Sequence, residues 1–182
     1  ILLLIVLLLL FLGYSGTGSL ALDNLLSWIS ARDLSYPLAS HAAVSNKNFI
    51  YVVDGSAQTS NSHDQILKSV VNPDGSLGEW IDNSNLPQAL IFHSAASDGL
   101  NMYILGGFLD ISGGGSISNV YKAALNSDGD LGEWEEQLSL PKQLSMGAAI
   151  VVRNKIYFAG GFTDGGGFPS SNVYYTTINN DG

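Results

Sequence analysis

The feature that most limits how this chain can fold is an internal repeat with three copies. In each copy a tryptophan precedes the tyrosine of an apolar segment by 23 residues. The pairs are Trp28 with Tyr51, Trp80 with Tyr103, and Trp134 with Tyr157. Unrelated segments would rarely keep such a register, and a period of about 50 residues indicates one supersecondary unit that is repeated and stacked.

Each copy predicts four short strands separated by turns. A strand of small residues comes first, as at 42–44, and a reverse turn at 45–48 leads into the apolar strand around Tyr51. A third strand follows, and an Asp-Gly pair, which is a strong hairpin signal, leads into the strand of the tryptophan. Such a sheet cannot bury both faces alone, so neighbouring sheets must cover it.

The second strand of each copy is apolar on both faces, so we expect it to lie in the core. The core residues predicted in this way are Tyr51, Tyr103, Ile104, Ile156 and Tyr157. A glycine pair ends this strand in the second and third copies, where glycine permits conformations that other residues avoid. The first copy differs, because Asp54 and Gly55 replace the glycine pair and Leu67 replaces the tyrosine of the third strand.

The apolar strand ending in Gly-Gly, the tyrosine that follows and the tryptophan together resemble the kelch repeat. Residues 72–80 and 126–134 have the form Asn-x-Asp-Gly-x-Leu-Gly-x-Trp, which is similar to bacterial exported kelch-type propellers with galactose-oxidase-like blades. The resemblance covers 28–182. It implies an all-β fold of β-propeller blades, each of four antiparallel strands, with about three blades of a ring that usually has six or seven. We expect Trp80 and Trp134 to pack equivalently between blades.

The sequence predicts two parts. Residues 1–21 are predicted to be a signal peptide or membrane anchor, and residues 22–182 a partial propeller with repeats at about 28–80, 80–134 and 134–182. The third copy stops at Gly182, before its Leu-Gly-Glu-Trp segment. Because repeats stabilise their neighbours, we expect the chain to be marginally stable alone and to aggregate or oligomerise.

The N-terminal segment indicates export. Residues 1–12 are all apolar, and a run of this length is shorter than the roughly 20 residues that a spanning helix needs. Glycines follow, and Ser19 and Ala21 supply small residues at a cleavage site of the secretory type. The charged start of a signal is missing, so we expect the chain to begin inside it. The predicted location is extracellular, periplasmic or at the cell surface, with membrane contact only if this apolar helix is retained.

Charge and cysteine content exclude several classes of function. The formal net charge is −9 and the seven Lys and Arg residues are scattered, so phosphate backbones are repelled and nucleic acid is excluded as a partner. There is no cysteine, which rules out disulfides, thiolate zinc ligands and thiol nucleophiles. The galactose oxidase resemblance therefore implies no copper chemistry, since that thioether cofactor needs a cysteine. No cofactor is predicted.

Two of the three histidines occupy the same position of the repeat and are considered as metal ligands. His41 and His93 precede the first strand of their copies, and Gly147 takes the same position in the third. We interpret these histidines as turn anchors that form hydrogen bonds; the alternative is that both face a central channel. A third ligand with suitable spacing is missing, so no metal site is predicted. His63 lies in a polar loop and is expected to be solvated.

Two other motifs favour structural roles. The Asn-x-Asp-Gly segments contain part of a calcium-loop pattern, but they lack its distant bidentate Glu, so a hairpin is the better interpretation. The glycine runs 113–115 and 165–167 lack the Lys-Ser/Thr of a phosphate loop. They are predicted to be surface loops that serve as linkers or as binding elements. No catalytic residue is predicted.

Three functions remain open. The leading hypothesis is an exported, non-enzymatic recognition or scaffold module that binds protein or carbohydrate through its loops. The alternative is the propeller portion of a larger carbohydrate-active enzyme, an oxidase or a lyase, whose catalytic residues lie outside this chain. A second alternative is a structural subunit of the cell envelope or of a filament.

Overall fold

The computed structural model describes residues 28–56, 62–109, 114–163 and 167–179. The chain separates into two compact units, Ile1–Ser30 and Ala31–Gly182. The predicted signal or anchor at 1–21, with its apolar helix, lies outside the described residues. Within the described ranges, no helix is long and apolar enough to cross a membrane.

The described part of the chain is all-β, as predicted. The first sheet contains β1 (Ala42–Asn46), β2 (Phe49–Ser56), β3 (Ser62–Val70) and β4 (Ile81–Asn85), in that order. The second sheet contains β5 (Ser94–Ser97), β6 (Asn101–Leu105), β7 (Val120–Leu125) and β8 (Leu131–Gln137), also in order. After β9 (Ala148–Val152) and β10 (Lys155–Ala159) come the short β11 (Phe162–Thr163), β12 (Phe168–Pro169) and finally β13 (Val173–Thr177).

The third sheet has the order β13-β10-β9, and β11 pairs with β12 as a separate hairpin. All pairings are antiparallel. The same two positions of the repeat lie opposite each other in each sheet: Tyr51 opposite Lys68, Tyr103 opposite Lys122, and Tyr157 opposite Tyr175. The sequence repeat therefore corresponds to a repeated sheet.

The predicted Asp-Gly turns connect the third and fourth strands of the first two sheets. Gly75 and Gly129 have φ of 84° and 76°, which is the left-handed region that glycine adopts without steric cost. The Gly75 N–H donates to the Asn72 carbonyl at 2.8 Å, and the Gly129 N–H donates to the Asn126 carbonyl at 3.2 Å. These are hairpin turns, as the sequence indicated.

Two apolar cores lie between successive sheets. The first core joins residues of the first and second sheets: Tyr51, Val53, Ile66, Leu86, Leu90, Met102, Ile104, Ile117 and Tyr121. The second core joins residues of the second and third sheets: Tyr103, Leu105, Val120, Leu144, Ile156 and Phe158. Each sheet thus covers a face of the next, because strands that are apolar on both faces need cover on both sides.

Four of the five predicted core residues are buried, and the prediction for Tyr157 is wrong. Tyr157 is only half-buried, whereas Tyr103 at the same position of the second sheet is buried. The reason is that Tyr157 shares its face with its cross-strand neighbours Ile150 and Tyr175, which are 59% and 65% exposed. Among the described residues, nothing packs over this face of the third sheet as the third sheet packs over Tyr103.

The two tryptophans that were expected to be equivalent have different surroundings. Trp134 lies on β8, is partly buried and packs against the first core. Trp80 precedes β4, and its indole N–H donates to the Arg32 carbonyl at 3.2 Å. The packing prediction is confirmed for Trp134, whereas Trp80 forms a hydrogen bond to the backbone of Arg32, which precedes the first sheet.

Candidate binding surface at one end of the sheets

Three residues with a left-handed backbone precede the first strands of the three sheets. Ser40, Phe92 and Met146 have φ of 60°, 57° and 57°. They occupy equivalent positions, one residue before His41, His93 and Gly147. For non-glycine residues this conformation costs about 1–2 kcal/mol each. We call Ser40, Phe92 and Met146 the left-handed triplet.

Backbone hydrogen bonds hold the left-handed triplet together. The Phe92 N–H donates to the Ser40 carbonyl at 3.0 Å, and the Met146 N–H donates to the Phe92 carbonyl at 2.7 Å. These bonds run from one sheet to the next, where β1 lies beside β5 and β5 beside β9. Ser40 and Phe92 are half-buried and Met146 is 47% exposed, so the triplet presents side chains at the surface.

Loops that follow the second strands lie at the same end of the sheets. Bridges pair Ala39 with Ser56, Ile91 with Phe108, and Ser145 with Phe162. In the second and third sheets, the segments that carry the triplet therefore contact residues that precede the loops with the glycine runs 113–115 and 165–167. In these loops Gly114, Gly115 and Gly167 are exposed, while 113, 165 and 166 lie outside the described residues.

In the first sheet, Asp54 takes the position of the first glycine of the glycine pair. It has φ of 47°, close to the 58° and 70° of Gly106 and Gly160 at the equivalent positions. Its carboxylate accepts hydrogen bonds from the backbone N–H groups of Gly55 and Leu90. A side chain at Gly106 would collide with the Leu144 carbonyl, so the second sheet needs glycine there.

The carboxyl group of Asp54 is fully buried. Burial raises the pKa of Asp54 to about 7, and the N–H groups of Leu90 and Gly55 limit the rise because they favour the charged form. The group therefore titrates close to neutral pH, although it acts as a structural link between the first two sheets.

His93 is buried beside this link and His41 is exposed, so the two histidines do not share one environment. Burial lowers the pKa of His93 to about 4, although the nearby carbonyls of Val53 and Leu90 favour its charged form. Neither ring nitrogen has a hydrogen-bond partner of normal geometry among the described residues. The expected hydrogen-bonding role of His93 is therefore not seen. The side chain of His63 lies outside the described residues.

The remaining buried polar groups at this end bind one another. The Ser116 and Ser145 hydroxyls are 3.0 Å apart, and the Ser94 hydroxyl donates to the Gly147 carbonyl at 2.8 Å. Within the described ranges, no group of three or more His, Asp or Glu side chains could hold a metal ion. The side chains of the left-handed triplet, which are partly exposed at this end of the sheets, are therefore the surface that a ligand can contact.

The sequence analysis missed the left-handed triplet. Ser, Phe and Met share no property that favours φ > 0, and Phe and Met are rare in this conformation. The only signal was positional, since all three residues lie at the same distance before the tyrosine of their copy. It could have marked the position as special but not its conformation.

Comparisons with known proteins support the fold. No family model matches the chain and no curated protein sequence is similar to it. Among solved structures, the chain is similar to the structure of YjhT, with a TM-score of 0.67 over 84% of this chain at 14% identity. The chain spans about half (46%) of the length of that structure.

This likeness shows the fold alone. The class of protein is all-β, with antiparallel sheets, two of them four-stranded in the described residues, in an arrangement that fits a β-sandwich or a propeller-like fold.

Proposed function

We propose that this chain is part of an exported recognition or scaffold module of the kelch-type β-propeller class, which binds protein or carbohydrate through the end of the sheets that carries the left-handed triplet. The repeated register, the packing of successive sheets face to face, and the position of β1 beside β5 and β5 beside β9 support a radial arrangement.

The observation that carries the proposal is the repeated backbone strain at Ser40, Phe92 and Met146. Strained conformations of non-glycine residues cluster at binding sites, where the surrounding structure maintains them. Glycine would remove the strain at these positions, yet the chain has a side chain at all three. Phe92 and Met146 add an aromatic and a polarisable apolar group, both partly exposed, which suit the face of a sugar ring or an apolar protein side chain.

The test replaces the two apolar members of the triplet with glycine. Phe92→Gly and Met146→Gly remove the side chains and relieve the strain, so we expect stability to be kept or raised by up to about 1 kcal/mol per site. Binding in a glycan array and in a pull-down from cell-envelope fractions should be lost. A loss of binding without a loss of stability is the result that a purely structural role would not produce.

The control is Leu100→Ala. Leu100 is 71% exposed in the turn between β5 and β6, at the opposite end of β5 from Phe92. This variant should bind like the parent chain. If the glycine variants bind normally, or if the parent chain binds no envelope component at all, the proposal is wrong.

The proposed location depends on the predicted signal peptide or anchor at residues 1–21. Export predicts that the protein is recovered from the extracellular, periplasmic or surface fraction of its source cells. Sequencing of the mature N-terminus distinguishes a cleaved signal, with a start near residue 22, from a retained anchor. Recovery only from the cytoplasm would contradict export.

A further inference from the structure

The first and second sheets are joined, at the end that carries the left-handed triplet, through a carboxyl group. The backbone N–H groups of Gly55 and Leu90 both donate to the side chain of Asp54. Asp54 and Gly55 belong to β2, whereas Leu90 belongs to the segment 86–92, which leads from β4 to Phe92. We call these two hydrogen bonds the Asp54 link.

The junction between the second and third sheets has the same two donors but other acceptors. Gly107 and Leu144 take the positions of Gly55 and Leu90 in the repeat. There the Gly107 N–H donates to the Leu144 carbonyl at 2.9 Å, and the Leu144 N–H donates to the Ile117 carbonyl at 3.0 Å. Backbone carbonyls do not titrate, so of these two junctions only the first depends on a group whose charge changes with pH.

The carboxyl group of Asp54 has no ion-pair partner among the described residues, and it is fully buried. Asp64 on β3 is a second carboxylate and disfavours charge on Asp54. The His93 ring is neutral near pH 7, because burial lowers its pKa to about 4. The side chain of His63, which pairs with Gly55 across the two strands, lies outside the described residues. The titratable residues on the elements around Asp54 are Tyr36, His41, His63, Asp64 and His93.

The ionised form of Asp54 is costly while the junction is closed. A buried carboxylate without a cation loses hydration that two N–H donors replace only in part. Burial accordingly raises the pKa of Asp54 to about 7, and the two donors of the Asp54 link limit the rise. If the segment 86–92 separates from β2, water reaches the carboxyl group and its pKa returns towards the ordinary value of about 3.9. Between these two values separation releases a proton, so a rise in pH favours separation.

We propose that the Asp54 link makes the binding surface pH-dependent, because it holds the segment 86–92 in place more firmly in mild acid than at neutral pH and above. Phe92 lies two residues after Leu90, and its N–H and carbonyl groups bond to Ser40 and Met146. The link therefore acts on the middle member of the left-handed triplet. The consequence for a ligand rests on the proposed function: a ligand that contacts Phe92 should bind more tightly in mild acid, where the ordered conformation is more populated.

Amide hydrogen exchange of the full chain tests the Asp54 link without a ligand. Exchange is measured by mass spectrometry from about pH 5 to about pH 8, and the segment 86–92 is compared with the equivalent segment 140–146. The comparison cancels the intrinsic pH dependence of amide exchange, which both segments share. We expect the protection of 86–92 relative to 140–146 to fall by at least about tenfold between about pH 5 and about pH 7, and to stay constant above that.

Asp54→Asn is the test variant. Asparagine tolerates a left-handed backbone and its side-chain oxygen can accept the Leu90 N–H, so the fold is kept while the titration is removed. This variant should lose the fall in relative protection. Asp74→Asn removes an exposed carboxylate from the turn between β3 and β4, and as the matched control it should behave like the parent chain. His41→Gln and His63→Gln should also keep the fall, which separates the Asp54 link from histidine titration in the same pH range.

Three results would overturn the proposal. They are a fall in relative protection that Asp54→Asn retains, a fall that disappears in either histidine variant, and an equal pH dependence of the two segments. The last result would mean that Asp54 acts only on the global stability of the chain. Failure of the proposed function is a separate outcome: if no envelope component binds while the exchange result is as expected, the proposed function is wrong and the Asp54 link stands.

Discussion

Gly129 lies where the turn between β7 and β8 rests on the first sheet. A Cβ atom at this position would lie 2.7 Å from Cδ2 of Phe49 and 2.7 Å from the Tyr51 hydroxyl oxygen. Gly75 has the same position in the turn between β3 and β4, and a Cβ there would meet nothing within 4 Å. Comparing Gly129→Ala with Gly75→Ala therefore separates the contact between sheets from the shared cost of the turn.

The shared cost follows from the positive φ of both glycines, 84° at Gly75 and 76° at Gly129. An alanine in this conformation costs about 1–2 kcal/mol, and we expect Gly75→Ala to lose that amount of unfolding free energy. Gly129→Ala adds overpacking, which costs about 1–3 kcal/mol. It also disturbs the Tyr51 hydrogen bond, which contributes about 1 kcal/mol. We expect a total loss of about 3–6 kcal/mol.

The assay is urea unfolding of the full chain, followed by circular dichroism and by tryptophan fluorescence. Gly129→Ala should lower the urea concentration at the unfolding midpoint two to three times as much as Gly75→Ala, because the shift of the midpoint is proportional to the loss of unfolding free energy. Gly129→Ser should behave like Gly129→Ala, since any Cβ meets the same atoms. Equal losses of unfolding free energy for the Gly75 and Gly129 variants would refute the argument that the turn at Gly129 packs against the first sheet and stabilises its contact with the second sheet.

Two further predictions concern the buried side chains. Trp134→Ala should lower the free energy of unfolding by about 3–5 kcal/mol, as for other packed aromatic residues. Trp80→Ala should lower it by less than half of that amount in the same denaturation assay. Equal losses would contradict the assignment of Trp134 to the core. Because the pKa of Asp54 is raised to about 7, its protonated form stabilises the folded state at low pH, and this contribution is lost as the pH rises through 7. Because the pKa of His93 is lowered to about 4, its neutral form stabilises the folded state above about pH 6.5, and this contribution is lost as the pH falls to 4. These effects oppose each other, so Asp54→Asn should make stability fall more steeply between pH 6.5 and 4, and an unchanged slope in urea titrations would contradict it.

Much of the secondary structure could be predicted from the sequence because it depends on local chemistry. The Asp-Gly pairs form the hairpin turns at Gly75 and Gly129, and the apolar segments around Tyr51, Tyr103 and Tyr157 form strands. These outcomes follow from the conformational freedom of glycine and from the preference of branched and aromatic residues for pleated, buried surfaces. Such preferences act within a few residues, so a pattern can reveal them.

Burial depended on what covers each sheet, which a repeated pattern cannot show. Tyr103 and Tyr157 have the same place in their copies, yet only Tyr103 lies under the next described sheet. Trp80 and Trp134 differ for the same reason. The sequence treats equivalent positions alike, whereas burial is a property of neighbours that can be far away in the chain.

The candidate site was decided by tertiary structure as well. Nothing in the residue types of Ser40, Phe92 and Met146 favours a left-handed backbone. Hydrogen bonds from one sheet to the next hold Phe92 and Met146 in it. Asp54 shows the same principle, since its carboxylate substitutes for a glycine only because the N–H of Leu90 lies within reach. The sequence by itself determined the strands and turns, and the contacts between sheets determined which residues are strained, buried or presented to a ligand.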